Sequence, residues 1–343
     1  MEECMSLKKI LFINAFQKHY PMFWNEMGMA KAEKYGFQID FPAKDGDVEN
    51  IDWSKLLPEY DALITTWRSP ICSAEFLKNA PKVKVIGHCA GSVVAVVNES
   101  TFTTGVKVTG ANSVMAEAVA EWSLLATLLA QRNLTCYAKL DRAGRMNWAE
   151  AYNMQDIKKM TIALWGMGDT TRHLLKFLAP LKPGRILIVS NHASEAELSA
   201  YGAEKATLDE ALQNADVFHC LVGVTAENFE RIGAKEFAMM KDGATFVNGG
   251  RARLTRENDL VAELQTGRIN AILDVFSREP FAEDHPFNDL DNVILTPHNA
   301  GFTGRDRFLP YILDEFDRFF RGEAMLSEVS SKRFATMTNE KMR

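Results

Sequence analysis

Three kinds of polar side chain stand just past short apolar runs in the later part of the sequence. Arg251 follows ATFVNGG, Asp274 and Glu279 lie in AILDVFSREP, and His298 lies in NVILTPHNAG. Together they suit one chemistry, the reduction of a 2-oxoacid by a hydride donor. A planar guanidinium fits a carboxylate and polarises the carbonyl beside it. An imidazole titrates in the right range to protonate the carbonyl oxygen as hydride arrives. A carboxylate next to that imidazole favours its protonated form. Arg251, His298 and Glu279 fit these roles in that order, and Asp274 is placed to orient a nicotinamide carboxamide. Singly, each is an ordinary structural residue: a surface arginine, an acid capping a turn, a histidine near a strand end. The set gains meaning only beside a site for the hydride donor.

Such a site is written in TIALWGMGDTTRHLLKFL (161–178), which reads strand, tight turn, helix. Gly166 and Gly168 supply the first two glycines of a G-x-G-x-x-G turn. The first permits the sharp turn, and the second lets backbone approach a pyrophosphate seated on the N–H groups of the helix start. Gly166, Met167, Gly168, Asp169 and Thr170 are the expected contacts. Thr171 holds the third glycine position and predicts a wider approach or a shifted helix. Arg172 reads as a solvated charge ahead of a phosphate ligand. The next strand ends at Ser190, where an acid would bind the adenosine ribose. Here the sequence is Ser190-Asn191-His192. No carboxylate repels a 2′-phosphate and no arginine follows to attract one, so NAD and NADP both stand as the cofactor.

These residues need a scaffold, and the apolar pattern supplies one. KKILFIN (8–14), DALITT (61–66), KVKVIG (82–87), TIALWG (161–166), RILIVS (185–190), DVFHCLV (216–222), ATFVN (244–248), NAILDVF (270–276) and NVILTP (292–297) read as short buried strands. Strands apolar on both faces suit parallel sheets covered by helices. EFLKNA (75–80) and RENDLVAELQTG (256–267) read as helices between them, the second ended by Gly267. Met115, Val119, Trp122, Ala126 and Leu129 recur at helical spacing, so residues 112 to about 134 form a helix joining two domains, capped by Asn112 or Ser113. HYPMFWNEM (19–27) reads as helix core, and the tail from Gly322 as surface that frays at its end. The fold class is α/β with repeated strand–helix units, doubly wound.

Composition agrees. The 343 residues are 47% hydrophobic and 24% charged, with net charge −6. This excludes wholesale disorder, a collagen-like fibre and a small disulfide scaffold, and argues against a nucleic-acid footprint. The five cysteines are scattered and form no CxxC pair, which points away from a metal cage and toward a reducing compartment. No charge-free apolar run reaches bilayer length, and MEECMSLKKILFINAF is acidic before it is apolar, unlike a secretory signal. A cytoplasmic protein without membrane contact is expected.

The run from Lys82 to about Thr303 resembles the D-isomer-specific 2-hydroxyacid dehydrogenase family. The pieces that carry the likeness are APKVKVIG (80–87), AEAVAEWSLL (116–125), LWGMGDTTR (164–172), FAMMKDGATFVNGGRARL (237–254), LDVFSREP (273–280) and VILTPHNAG (293–301). The resemblance implies a flavodoxin-like substrate domain made from both chain ends (1–111 plus 302–343) and an inserted NAD(P)-binding Rossmann domain (112–301). It places Arg251 on the family's substrate-binding arginine, Glu279 on its catalytic glutamate and His298 on its acid/base. Similar formate dehydrogenases carry glutamine at the glutamate position. It also implies a substrate loop at Ala90, Gly91 and Ser92, whose N–H groups are able to form a carboxylate nest, and a loop Trp67-Arg68-Ser69-Pro70 near the substrate, where Arg68 is either a second anion contact or a surface charge. On the cofactor side it adds Ser190, Asn191, Val222, Gly249 and Asp274. The sequence departs from the family at the substrate loop, which lacks the usual aspartate, and at Gly223, where proline is usual. Cys89, beside the nest, is not read as a nucleophile. The family implies a small 2-oxoacid or 2-hydroxyacid as substrate and a homodimer. The alternative reading is a nucleotide-sensing, corepressor-like interaction protein on the same fold.

Overall fold

Strands that are apolar on both faces must be covered on both, and the computed structural model shows how this is done. It describes residues 7–13, 20–42, 51–134, 154–335 and 337. These fall into two compact units, one drawn from Met1–Met115 and Phe302–Glu340, the other from Ala116–Gly301. The expected boundary lay at Asn112.

The first unit is built on β1 (Lys8–Ile13), β2 (Phe37–Asp40), β3 (Ala62–Thr65), β4 (Val85–His88) and β5 (Lys107–Gly110). The strands are parallel and lie in the order β2-β1-β3-β4-β5, the flavodoxin-like order. Side chains alternate between faces. Ile10, Phe12, Ala62, Ile64 and Val85 pack under Phe308, Ile312 and Phe316 of the helix Phe308–Phe320. Leu11, Ile13, Leu63, Ile86 and Val108 pack on the other face with Leu57 and Val96.

The second unit holds β6 (Thr161–Trp165), β7 (Arg185–Val189), β8 (Glu204–Lys205), β9 (Val217–Cys220), β10 (Thr245–Asn248), β11 (Asn270–Leu273) and β12 (Val293–Leu295). All pairings are parallel, in the order β12-β11-β10-β9-β6-β7-β8. Counted from β6, this is the Rossmann order with one strand added at the far edge. Ala163, Phe218, Phe246 and Ala271 fill one face, and Ile162, Leu164, Val217, Val247 and Ile272 the other. The doubly wound α/β class is borne out in both units.

Strands β2, β5 and β8 carried no apolar signal. All three are sheet edges, where one side needs no covering. The helix Asn112–Gln131 starts after Ala111, whose carbonyl accepts the Met115 N–H at 3.0 Å, so Asn112 and Ser113 lie inside its first turn. Among the described residues it is one helix long and apolar enough to cross a membrane, although it carries Glu117 and Glu121. Its alanines account for the composition: Ala120 and Ala126 pack into the second unit's core. The tail is not simple surface. Met325 and Val329 are buried, and the Val329 N–H donates to the Val108 carbonyl at 2.8 Å along β5. Residues 338–343 and residue 336 lie outside the described residues, as does His19 of the aromatic stretch, in which Phe23 is core.

Candidate active site

The order of the second sheet reverses direction between β6 and β9, and a ligand crevice opens at such a point, beyond the carboxyl ends of the strands. Gly166 ends β6 with φ 109, a backbone shape that L side chains rarely adopt. A Cβ there would stand 3.1 Å from the backbone of Val222, so the loops after β6 and β9 touch through this glycine. Gly168 caps the helix Asp169–Leu178, and nothing lies within 4 Å of where its Cβ would be. Backbone therefore lies bare over a helix start, which suits a pyrophosphate. Thr171 is buried and donates its hydroxyl to the Gly166 carbonyl at 3.0 Å. It closes the turn with a hydrogen bond where glycine would close it by smallness.

The neighbouring loops are braced in the same way. Asn228 accepts the Thr225 N–H at 2.7 Å and donates to the Gly223 carbonyl at 2.8 Å, a clasp that stands in for the missing proline. Ser190 accepts the N–H groups of His192 and Ala193 at 3.2 Å, leaving Asn191 and His192 exposed at the end of β7. Arg172 is engaged by Glu197, with Nε and Nη2 at 3.0 and 2.9 Å from Oε1. Gly249 is required by packing, because a Cβ would meet the Trp122 ring at 2.7 Å.

Arg251, Glu279 and His298 leave from three adjacent parallel strands, β10, β11 and β12. Neighbouring strands lie about 4.8 Å apart, so the three loops issue side by side from one edge. Asn248 fixes the first loop: its side chain accepts the Gly250 N–H at 3.1 Å and donates to the Arg251 carbonyl at 3.0 Å. The Arg251 guanidinium donates to the Gly250 carbonyl at 2.7 Å. His298 Nδ1 lies 2.9 and 2.8 Å from the two Glu279 carboxylate oxygens. Both side chains are partly open to water, 47% and 38% exposed.

Asp274 is buried and directs its carboxylate at the His298 loop. Oδ1 accepts the Thr296 hydroxyl at 2.6 Å and the Asn299 N–H at 3.0 Å, and Oδ2 accepts the Ala300 N–H at 3.0 Å. These bonds flank His298, whose φ of 50 costs a non-glycine residue roughly 1–2 kcal/mol. The sequence did not mark Thr296, Asn299, Asn248 or Asn228 as supports, because their partners are set by the loops and not by spacing along a helix or strand.

In the first unit, the loops after β3 and β4 adjoin: the Cys89 N–H donates to the Thr65 carbonyl at 2.8 Å, and Thr65 Oγ1 lies 3.0 Å from His88 Nδ1. Ala90 is buried, and a Cβ on Gly91 would stand 2.7 Å from Met115 Sδ, so the loop expected to form the nest follows β4 with little room beneath it. Ser92 Oγ is buried with no hydrogen-bond partner among the described residues. Arg68 is exposed with φ 63. Burial pushes the Cys89 thiol well up, which disfavours a thiolate nucleophile.

Known proteins resemble this chain in sequence and in fold. Residues 124–300 match the model of the D-isomer specific 2-hydroxyacid dehydrogenase, NAD binding domain. The glyoxylate reductase of Korarchaeum cryptofilum is 27% identical over 312 residues, 87% of this chain and 91% of that one. A phosphoglycerate oxidoreductase structure from Rhizobium etli superposes with TM-score 0.77 at 25% identity, covering 93% of this chain and 97% of that one. A D-isomer specific 2-hydroxyacid dehydrogenase from Xanthobacter autotrophicus Py2, solved with NADPH and MES, gives TM-score 0.75 at 21% identity, covering 96% and 100%. The strand order, the glycine turn at its reversal and the matched family model leave one conclusion. This chain belongs to the D-isomer specific 2-hydroxyacid dehydrogenase family and is an NAD- or NADP-using oxidoreductase of 2-hydroxyacids.

Proposed function

We propose that the protein reduces a small 2-oxoacid to its D-2-hydroxyacid, or runs the reverse reaction, with His298 as acid/base. Bound NAD(P)H supplies a hydride from the nicotinamide ring. Gly166, Met167, Gly168, Asp169 and Thr170 hold its pyrophosphate, Ser190 and Asn191 its adenosine side, and Val222, Gly249 and Asp274 the remainder. The Arg251 guanidinium binds the substrate carboxylate and polarises the carbonyl. His298 Nε2 gives a proton to the carbonyl oxygen as the hydride arrives, while Glu279 holds Nδ1 and fixes the ring's orientation. The Ala90–Ser92 nest and Arg68 take the substrate's anionic end on the first unit, which serves as the substrate domain, and the second unit serves as the nucleotide domain. The working form is a cytoplasmic homodimer.

One observation carries this reading: both Glu279 oxygens lie within hydrogen-bond reach of His298 Nδ1, on loops leaving adjacent parallel strands. A corepressor-like scaffold has no use for that pair. The relatives that are glyoxylate and hydroxypyruvate reductases set the first substrates to try. The test is oxidation of NADH and of NADPH with glyoxylate, hydroxypyruvate, pyruvate and bulkier 2-oxoacids. Turnover with at least one pair supports the reading, and tight nucleotide binding without turnover on any of them refutes it.

A further inference from the structure

The loop that presents Glu279 is held from a distance by a second carboxylate. Glu257 opens the helix Glu257–Gln265, twenty residues before Ser277. Its Oε2 accepts the Ser277 N–H at 3.0 Å, and its Oε1 accepts the Ser277 hydroxyl in a short hydrogen bond. His285 Nε2 lies 3.3 Å from the same Oε1. His285 Nδ1 accepts the Phe287 N–H at 3.2 Å, so the ring proton sits on Nε2 and is donated to Glu257. The ring is flanked by Phe281 and Phe287, with centroids at 4.7 and 4.5 Å. Glu257 and His285 are only 22% and 18% exposed. Burial pushes the Glu257 carboxyl up, but the Ser277 and His285 hydrogen bonds outweigh it, and the net shift is downward.

This cluster meets the reacting pair through one short stretch of backbone. Glu279 Oε1 accepts the Phe276 N–H at 3.3 Å, and the next N–H, that of Ser277, goes to Glu257. Two successive backbone donors are thus tied to two carboxylates, one of which reaches His298. We propose that Glu257, acting through Ser277 and steadied by His285, is a positioning residue that fixes the loop from which Glu279 holds His298. This rests on the assignment of Glu279 as the partner of His298. The chemistry requires a carboxylate. Ser277 presents two donors, and a glutamine would meet one of them with its NH₂ group.

A double-mutant cycle on the full-length protein tests this, with Glu257→Gln, Glu279→Gln and the pair. Tm, nucleotide affinity by NAD(P)H fluorescence, KM and kcat are measured for each. Glu257→Gln is expected to lower kcat about tenfold while KM and nucleotide affinity stay within about threefold. In the Glu279→Gln background the same change is expected to cost less than about twofold, because the group it positions is gone. Ser277→Ala, a milder change, follows the same pattern at about threefold and serves if Glu257→Gln does not fold. Wild-type kcat in both Glu257→Gln and Ser277→Ala overturns the proposal, and so does a penalty that persists undiminished in the Glu279→Gln background, which marks a general structural role. Wild-type kcat in Glu279→Gln overturns the Glu279 assignment itself and the proposal with it.

Discussion

Replacing Glu279 by glutamine keeps the side chain's size and removes its charge from His298. In the structure Nδ1 lies 2.9 and 2.8 Å from the two oxygens, a charge-assisted contact once the imidazole is protonated. Such a bond contributes about 1.5–3 kcal/mol when shielded. Here the two side chains are 47% and 38% exposed, so water competes and lowers the contribution to about 1–2 kcal/mol. In the oxidative direction the neutral histidine gains its charge as it takes the hydroxyl proton, so the loss falls on the transition state. At about 1.4 kcal/mol per factor of ten, kcat should drop about fivefold to thirtyfold. Nucleotide affinity should hold, because the glycine turn belongs to a different strand end. Stopped-flow formation of NAD(P)H at saturating 2-hydroxyacid measures the step. A kcat within twofold of wild type would refute the assignment of Glu279 as the histidine's partner.

Other changes probe the supports. Gly166→Ala places a Cβ 3.1 Å from the Val222 backbone at φ 109, so nucleotide affinity should weaken about tenfold or more in a fluorescence titration. Asp274→Asn puts an NH₂ group against N–H or O–H donors of the His298 loop and should cost about 1–3 kcal/mol in urea unfolding, with a lower kcat. His219, buried in β9 with its Nε2 2.9 Å from Thr127 Oγ1, is pushed from 6.5 down to about 3 by burial. Between those values the unfolded chain binds a proton that the folded chain excludes, so stability is full above pH 6.5 and is lost as pH falls toward 3. His219→Gln removes this dependence. Wild type should lose about 2 kcal/mol more than the variant between pH 7 and pH 5, measured by urea titration at both.

Much of this was legible in the chain, for identifiable reasons. Strands covered on both faces, such as Thr161–Trp165 with Ile162, Ala163 and Leu164 all inaccessible, announce themselves by unbroken apolar runs. The edges did not: Phe37–Asp40 buries Phe37 alone, and both residues of Glu204–Lys205 are exposed. The side chains proposed for the chemistry stood out because each sits just past a strand whose end faces the crevice. Their supports were not, because a residue such as Glu257 looks like any acid in the first turn of a helix until Ser277 is brought beside it. Thr171 makes the same point from the other side. As a departure from glycine it foretold a looser turn, yet its hydroxyl bonds the turn shut.

His298 is proposed as the group that moves the proton. Its direct test is single-turnover reduction of a 2-oxoacid by the His298→Ala protein preloaded with NAD(P)H. The expected result is a hydride-transfer rate lower by about a hundredfold or more, with nucleotide affinity within twofold of wild type. An unchanged rate in a variant that still binds the nucleotide would remove His298 from the chemistry.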